Sequence, residues 1–116
     1  MTTHDMGRQC EELACAYLVR KGYLALAHNY RSGRYEIDLV MRDGAATVFV
    51  EVKARASTAY GRPAEFVTAV KRRRLLLAAQ DYLVKNGLYE QPARFDVIEV
   101  YLPAHKLIHI ENAFGM

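Results

Sequence analysis

Residues 35–55 constrain the fold of this chain more than any other stretch. They read as two apolar, β-branched strands joined by a tight turn near Gly44, and both strands also carry charged residues. Because side chains alternate along a strand, Glu51 and Lys53 project to one face of the second strand. On the first strand, the same alternation separates Glu36, Asp38 and Val40 on one face from Ile37, Leu39 and Met41 on the other.

The length of the turn decides whether Asp38 joins the Glu51 face. Directly opposed residues of an antiparallel pair share a face, and a shift of one residue reverses every side chain. A four-residue loop from Asp43 to Ala46 pairs Asp38 with Glu51, whereas the two-residue loop Asp43-Gly44 pairs Asp38 with Phe49. Both even lengths place Asp38 on the Glu51 side, and an odd length does not. Asp-Gly is a strong hairpin signal, so we expect an even-length turn.

The rest of the chain predicts the element order α-β-β-β-α-β-β. This order indicates a mixed β-sheet flanked by helices, in the α/β (α+β) class. The length of 116 residues fits one domain spanning residues 1–116. Asp5 is the expected N-cap of the first helix, and Gly22 follows its end. Beside the central hairpin, we expect helices over residues 5–21 and 65–86 and strands over residues 23–30, 93–102 and 107–110.

Glu11 is a candidate third carboxylate for the charged face of the hairpin. It falls at the edge of the apolar stripe of the first helix, where an acid needs a partner, a metal or solvent. With Asp38 and Glu51 it would offer hard oxygen ligands, which suit Mg²⁺ or Mn²⁺. Lys53 is then placed to hold the attacking water or to balance charge at a phosphodiester. The alternatives are a solvated Glu11 and an ordinary ion pair between Glu51 and Lys53.

The middle of the chain is basic. Residues 31–74 hold ten Lys or Arg and five Asp or Glu, within a chain of formal net charge +3. Such a segment suggests a polyanion partner, most often nucleic acid, although a solvated basic face is the alternative. Residues 54–64 read as a surface loop that carries two of these arginines. The candidate phosphate contacts are Arg31, Arg55, Arg62, Lys71 and Arg74.

The cysteines, the hydropathy and the first residues are those expected of a cytosolic protein. Cys10 and Cys15 match neither a zinc pair nor a redox motif, so we expect reduced thiols in or near the core. No apolar run approaches the ~20 residues of a membrane helix. The first residues lack the basic and apolar blocks of a secretory signal. A cytoplasmic protein with no membrane partner is the expectation.

Two segments of the hairpin resemble a known nuclease motif. Residues 36–40 (Glu-Ile-Asp-Leu-Val) and 48–55 (Val-Phe-Val-Glu-Val-Lys-Ala-Arg) resemble the PD-(D/E)xK superfamily, whose fold is shared by type II restriction enzymes and archaeal Holliday-junction resolvases. Nearly the whole chain is similar to the YraN-like family of bacterial proteins. One departure is Tyr35, where that family usually has glycine. Further matching positions are Gly7, Glu11, Ala14, Tyr17, Leu18, Asn29, Arg31, residues 60–63, Lys71, Arg74, residues 94–97 and residues 112–114.

The resemblance implies a restriction-endonuclease-like fold and a metal-dependent nuclease site. The implied catalytic residues are Glu11, Asp38, Glu51 and Lys53, with Mg²⁺ or Mn²⁺ held by the three carboxylates. The implied activity is Holliday-junction-resolvase-like cleavage of branched DNA, and symmetric cutting would take a homodimer. Fold likeness alone does not establish an activity. A nucleic-acid-binding module without turnover and a protein-interaction domain are the competing functions.

Overall fold

A computed structural model of the protein describes residues 2–56, 67–102 and 104–116. The element order is α-β-β-β-α-β-β, which confirms the order predicted from the sequence. Neither helix in this described part is long and apolar enough to cross a membrane. The helices are α1 (Thr3–Arg20) and α2 (Ala69–Lys85), and the strands are β1 (Leu24–Ser32), β2 (Tyr35–Asp43), β3 (Ala46–Ala56), β4 (Ala93–Leu102) and β5 (Lys106–Phe114).

The five strands form one mixed sheet in the order β1-β2-β3-β4-β5. The β3–β4 pair is parallel, and the other three pairs are antiparallel. Parallel neighbours need a crossover connection, and α2 lies in the segment between β3 and β4. The sheet therefore combines an antiparallel hairpin unit with a β-α-β unit, and β3 is the strand that the two units share.

Each helix packs on its own face of the sheet. The residues of α1 pack with Leu39, Val48 and Val50, whereas those of α2 pack with Val40 and Phe49. Cys10 is buried in the α1 layer, and both cysteines are free thiols, as predicted. The buried stripe of α2 consists of the five residues expected for it, Leu75, Ala78, Ala79, Tyr82 and Leu83.

The turn of the central hairpin has an even length, as the sequence predicted. The β2–β3 ladder pairs Arg42 with Thr47 and then Asp43 with Ala46, so the turn is Gly44-Ala45. Gly44 has φ +59°, and a two-residue hairpin turn of type II′ takes glycine at this first position. The expectation that Asp43-Gly44 forms a two-residue loop is therefore wrong by one residue. The register, with Arg42 opposite Thr47, is the one predicted for the four-residue loop from Asp43 to Ala46.

The alternation predicted for β2 is wrong at Ile37. This side chain packs with Val40 in the α2 layer, whereas Leu39 packs in the α1 layer. The interruption falls at Asp38, which lies across from Asn29 of β1. Asn29 has φ +49°, a left-handed conformation that breaks the regular pleat of an edge strand. The two strands therefore change faces together at this point.

Both helices begin at residues other than those predicted. Thr2 is the N-cap of α1, and its side chain accepts the backbone N–H of Asp5 at 3.0 Å, so Asp5 is the third residue of a capping box. Thr68 caps α2, which therefore begins at Ala69. Predicted helix residues 65 and 66 lie outside the described residues. Strand β4 has its predicted bounds, and β1 and β5 extend further than expected.

A buried carboxylate joins α1, β4 and β5. Asp96 is fully buried, and its Oδ2 accepts a hydrogen bond from His109 Nε2 at 2.7 Å. Its Oδ1 accepts bonds from Arg94 Nε at 3.0 Å and from the Asn112 N–H at 2.9 Å. Lys21 Nζ, at the end of α1, donates to His109 Nδ1 at 2.9 Å. Burial acts to raise the pKa of Asp96, but these hydrogen bonds outweigh it and hold the pKa below its usual range.

Replacing Asp96 with asparagine should lower the free energy of unfolding by about 3 kcal/mol at neutral pH, because a buried charged partner is removed. Asp43→Asn is the matched control, since Asp43 binds the same Arg94 at 3.2 Å but is exposed. It should cost less than about 1 kcal/mol. Urea denaturation of the three proteins measures both losses. Equal losses of unfolding free energy in Asp96→Asn and Asp43→Asn would contradict the central role of Asp96.

The same comparison should depend on pH. The folded-state pKa of Asp96 is lowered, so its carboxylate stabilises the protein above the ordinary carboxyl pKa of about 3.9. That stabilisation is lost as the pH falls through the folded-state value. The difference in unfolding free energy between wild type and Asp96→Asn should therefore shrink below about pH 4. A difference that stays constant in acid would contradict this account.

Candidate active site

The candidate site lies at a fork where β2 separates from β3. The ladder between these strands runs from the turn to the pair Leu39–Val50. One position beyond that pair, Asp38 Oδ2 accepts a hydrogen bond from the backbone N–H of Val52 at 2.8 Å. The side chain of Asp38 therefore satisfies a donor of β3 that a continued ladder would have used. It also draws the carboxylate of Asp38 against β3.

Glu51 is the buried centre of the site, with a residue exposure of 4%. It shares a strand face with Lys53, as the alternation predicted, and Lys53 Nζ lies 3.4 Å from Glu51 Oε2. Lys71, from the first turn of α2, places its Nζ 2.7 Å from the same oxygen. A buried carboxylate is stable only with such partners. Two ammonium groups thus share one oxygen atom of Glu51.

Asp38 is in an environment that disfavours its charged form. Burial and the neighbouring Glu51 carboxylate raise the pKa of Asp38 to about 8, although the hydrogen bond from the Val52 N–H opposes the shift. The charge of Glu11 also acts to raise it. Crowded carboxylates with shifted pKa values are typical of catalytic and metal-binding sites.

A cavity of about 230 Å³ opens in front of Asp38. Its walls come from the start of β2 and from the first turns of α2. Three cationic side chains surround the carboxylates there, an arrangement that suits a phosphate group. The main lining residues are Arg34, Tyr35, Glu36, Asp38, Lys71 and Arg74.

Glu11 lies apart from this cavity. Its Oε1 accepts a hydrogen bond from Asn29 Nδ2 at 3.1 Å. It lines a second cavity, of about 630 Å³, together with Arg8, Arg31 and Glu36. Glu36 lines both cavities, so they adjoin at the start of β2. The structure thus brings Asp38, Glu51 and Lys53 together, and Glu11 lines the second cavity, near enough for its charge to act on Asp38.

The predicted phosphate contacts fall in three places. Lys71 and Arg74 line the first cavity, and Arg31 lines the second, where its Nε lies 3.5 Å from Glu36. Arg55 Nε donates to Glu99 Oε2 at 3.2 Å. Arg62 lies outside the described residues, as does most of the predicted loop over residues 54–64.

One residue of this region, Glu99, escaped the sequence analysis. Glu99 is buried, accepts a hydrogen bond from Tyr101 Oη at 3.2 Å, and lies directly across from Lys53 in the parallel β3–β4 register. Its charge in the largely apolar second half of β4 was a signal, but its neighbours depend on a non-local pairing. Arg34 lines the first cavity because it lies in the tight turn between β1 and β2.

Comparison with known sequences adds an independent finding. The model of Uncharacterised protein family UPF0102 matches residues 10–100. The chain belongs to this family. A UPF0102 protein of Clostridioides difficile is 41% identical over 98% of this chain and 100% of its own length. One of Pseudomonas aeruginosa is 46% identical over 97% and 94%, respectively. The YraN-like resemblance is thereby confirmed, and the matched segment contains every candidate catalytic residue.

The carboxylates at the candidate site of this UPF0102 protein fit a metal site with few protein ligands. Magnesium is commonly held by one or two carboxylates and several waters, and Asp38 and Glu51 supply two adjacent carboxylates. Among residues 2–56, 67–102 and 104–116, no three Asp, Glu, His or Cys side chains are grouped to hold a metal ion. The residues present therefore suit a site of two carboxylates, Asp38 and Glu51, with Lys53 beside them.

Asp38→Asn should stabilise the metal-free protein at about pH 8, where wild-type Asp38 is partly ionised beside Glu51. Asparagine retains an acceptor for the Val52 N–H and removes one of the two carboxylates. The raised folded-state pKa means that wild-type stability falls as the pH rises from about 4 to about 8. The gain in unfolding free energy should exceed about 1.4 kcal/mol, the equivalent of one pKa unit.

Urea denaturation in the presence of a chelator measures this gain, with Asp43→Asn at the other end of β2 as the control. The gain should disappear near pH 4, where both states bind the proton. A loss of stability in Asp38→Asn at about pH 8 would contradict the crowding of the two carboxylates.

Proposed function

We propose that this protein is a metal-dependent endonuclease that hydrolyses phosphodiester bonds in structured, branched DNA, with Mg²⁺ or Mn²⁺ as its cofactor. The observation that carries the proposal is the pair of carboxylates at the fork, Asp38 and Glu51, with Lys53 at 3.4 Å from Glu51. The resemblance of the same hairpin to the PD-(D/E)xK motif supports it. Both lines of support rest on the same residues.

Each side chain of the site has a role in this proposal. Asp38 and Glu51 would hold the ion, which when bound supplies Lewis acidity and lowers the pKa of a bound water. Lys53 donates a hydrogen bond to the attacking water or to a phosphate oxygen, where negative charge increases in the transition state. Glu11 accepts a hydrogen bond from Asn29, which lies in β1 across from Asp38. Through this contact, Glu11 orients the site from the second cavity.

The two adjoining cavities support an internal cut over removal of terminal nucleotides. Arg8 and Arg31 line one side of Glu36, and Lys71 and Arg74 line the other. A strand that crosses Asp38 would be held through its phosphates on both sides of the scissile bond. Such a path does not require a free end. Arg55, beside Lys53 on β3, and Arg62 are further candidate phosphate contacts.

A branched substrate implies two active sites and a cytoplasmic location. One site cuts one strand, and symmetric cutting of a four-way junction requires a second site related by two-fold symmetry. We therefore propose a homodimer on DNA. The proposed location, for a protein that acts on branched DNA, is the cytoplasm.

A nucleic-acid-binding module without turnover is the second candidate. Lys53 and Lys71 both contact Glu51 Oε2, so two ammonium groups already balance the buried carboxylate. A site neutralised in this way can bind phosphate without performing hydrolysis. This candidate needs the basic cavity walls and does not need a metal.

A cleavage assay on a four-way junction, a nicked duplex and a linear duplex separates the two candidates. We expect the wild type to cut the junction in Mg²⁺ or Mn²⁺ and not in a chelator. Asp38→Asn, Glu51→Gln and Lys53→Met should each lower the cleavage rate by at least about 100-fold. Glu11→Gln should have a smaller effect, and Glu12→Gln, an exposed neighbour on α1, serves as its matched control.

The same samples give the binding result in a mobility-shift experiment. DNA affinity should persist in the three inactive variants and weaken as salt rises, because phosphate contacts release counterions. Binding by the wild type with no cleavage of any substrate would support the binding module. The absence of DNA affinity would contradict both candidates.

A further inference from the structure

We infer that Lys71 couples the binding of the divalent cation to the binding of the DNA backbone. In the free protein Lys71 neutralises Glu51, and it moves to a substrate phosphate when the cation binds. This inference rests on the proposed function. It adds that the cation and the DNA each increase the affinity of the protein for the other.

The geometry places Lys71 at the position that a cation would compete for. Its Nζ lies 2.7 Å from Glu51 Oε2, which is the shorter of the two distances from an ammonium group to that oxygen. Glu51 is almost fully buried, whereas Asp38 and Lys71 both line the first cavity, so an ion held between Asp38 and Glu51 would lie next to Lys71. Two positive groups a few Å apart repel each other strongly where water is scarce. Binding of the ion at Glu51 therefore weakens the contact with Lys71.

Lys71 is better able to leave Glu51 than Lys53 is. Lys53 lies two residues from Glu51 on the same strand, and its side chain is 29% exposed. The side chain of Lys71 comes from a separate element, α2, and is 46% exposed. A half-exposed lysine exchanges partners at a lower cost than a more buried one, because nearly half of its side chain is already in contact with water. Lys53 consequently stays with the strand while Lys71 turns outward.

A phosphate is the natural second partner for the displaced ammonium group. Lys71 lines the first cavity together with Arg34 and Arg74, so a phosphate held there lies within its range. When DNA is present, Lys71 exchanges one anionic partner for another. When DNA is absent, displacement costs the ammonium group its 2.7 Å contact with Glu51 and gives it no phosphate in exchange. The cation should therefore bind more tightly in the presence of DNA, and by linkage DNA should bind more tightly in the presence of the cation.

Calorimetric titration with Mn²⁺ tests the coupling without relying on activity. Lys71→Gln should bind Mn²⁺ at least about fivefold more tightly than the wild type in the absence of DNA. Arg73→Gln is the matched control, because it removes the same charge two residues further along α2, at a position that lines a different groove. Its Mn²⁺ affinity should match that of the wild type. Thermal unfolding checks that both variants are folded.

A second titration adds a short DNA hairpin with phosphorothioate linkages, which limits cleavage. The hairpin should increase the Mn²⁺ affinity of the wild type and of Arg73→Gln, and have little effect on Lys71→Gln. Equal or weaker Mn²⁺ binding by Lys71→Gln in the first titration would overturn the coupling and leave the metal site intact. If neither protein binds Mn²⁺, the proposed metal site is itself overturned, together with the coupling.

Discussion

The hydrogen bond from the Val52 N–H to Asp38 Oδ2 is the interaction on which the candidate site depends. Strands β2 and β3 pair tightly from the turn to Leu39 and Val50, and there a side chain replaces the main-chain ladder. A continued ladder would close the space between the strands. The carboxylate instead satisfies a backbone donor of β3, and Asp38 also lines the first cavity together with Lys71, which contacts the buried Glu51. This one contact thus holds Asp38 beside β3 and at the wall of the cavity.

Two carboxylates of the sheet, Asp96 and Asp38, lie in opposite electrostatic environments. Asp96 is surrounded by donors, and its pKa is held below the usual range, which is the pattern of a structural ion network. Asp38 faces a second carboxylate, and its pKa is raised to about 8. The first arrangement stabilises the fold, and the second costs stability at neutral pH. Proteins retain such a cost mainly at functional sites, which is consistent with the proposed role of the fork.

Local patterns in the sequence were sufficient for the main features. Period-2 alternation correctly grouped Glu51 with Lys53, and the Asp-Gly signal correctly indicated an even-length turn, because both depend on neighbouring residues. Non-local effects were beyond this reasoning. The change of face at Ile37 follows from the left-handed backbone of Asn29 in another strand. The position of Glu99 opposite Lys53 requires the parallel β3–β4 register, which no short pattern encodes.

The central claim is that Asp38 and Glu51 together hold a divalent cation. Crystals soaked in Mn²⁺ test it most directly, since anomalous scattering locates the ion without reference to activity. The account predicts a single strong peak between the two carboxylates, with Glu11 outside its ligand set. A peak that involves Glu11 and neither carboxylate of the fork, or a fork without any peak at saturating Mn²⁺, would contradict the account.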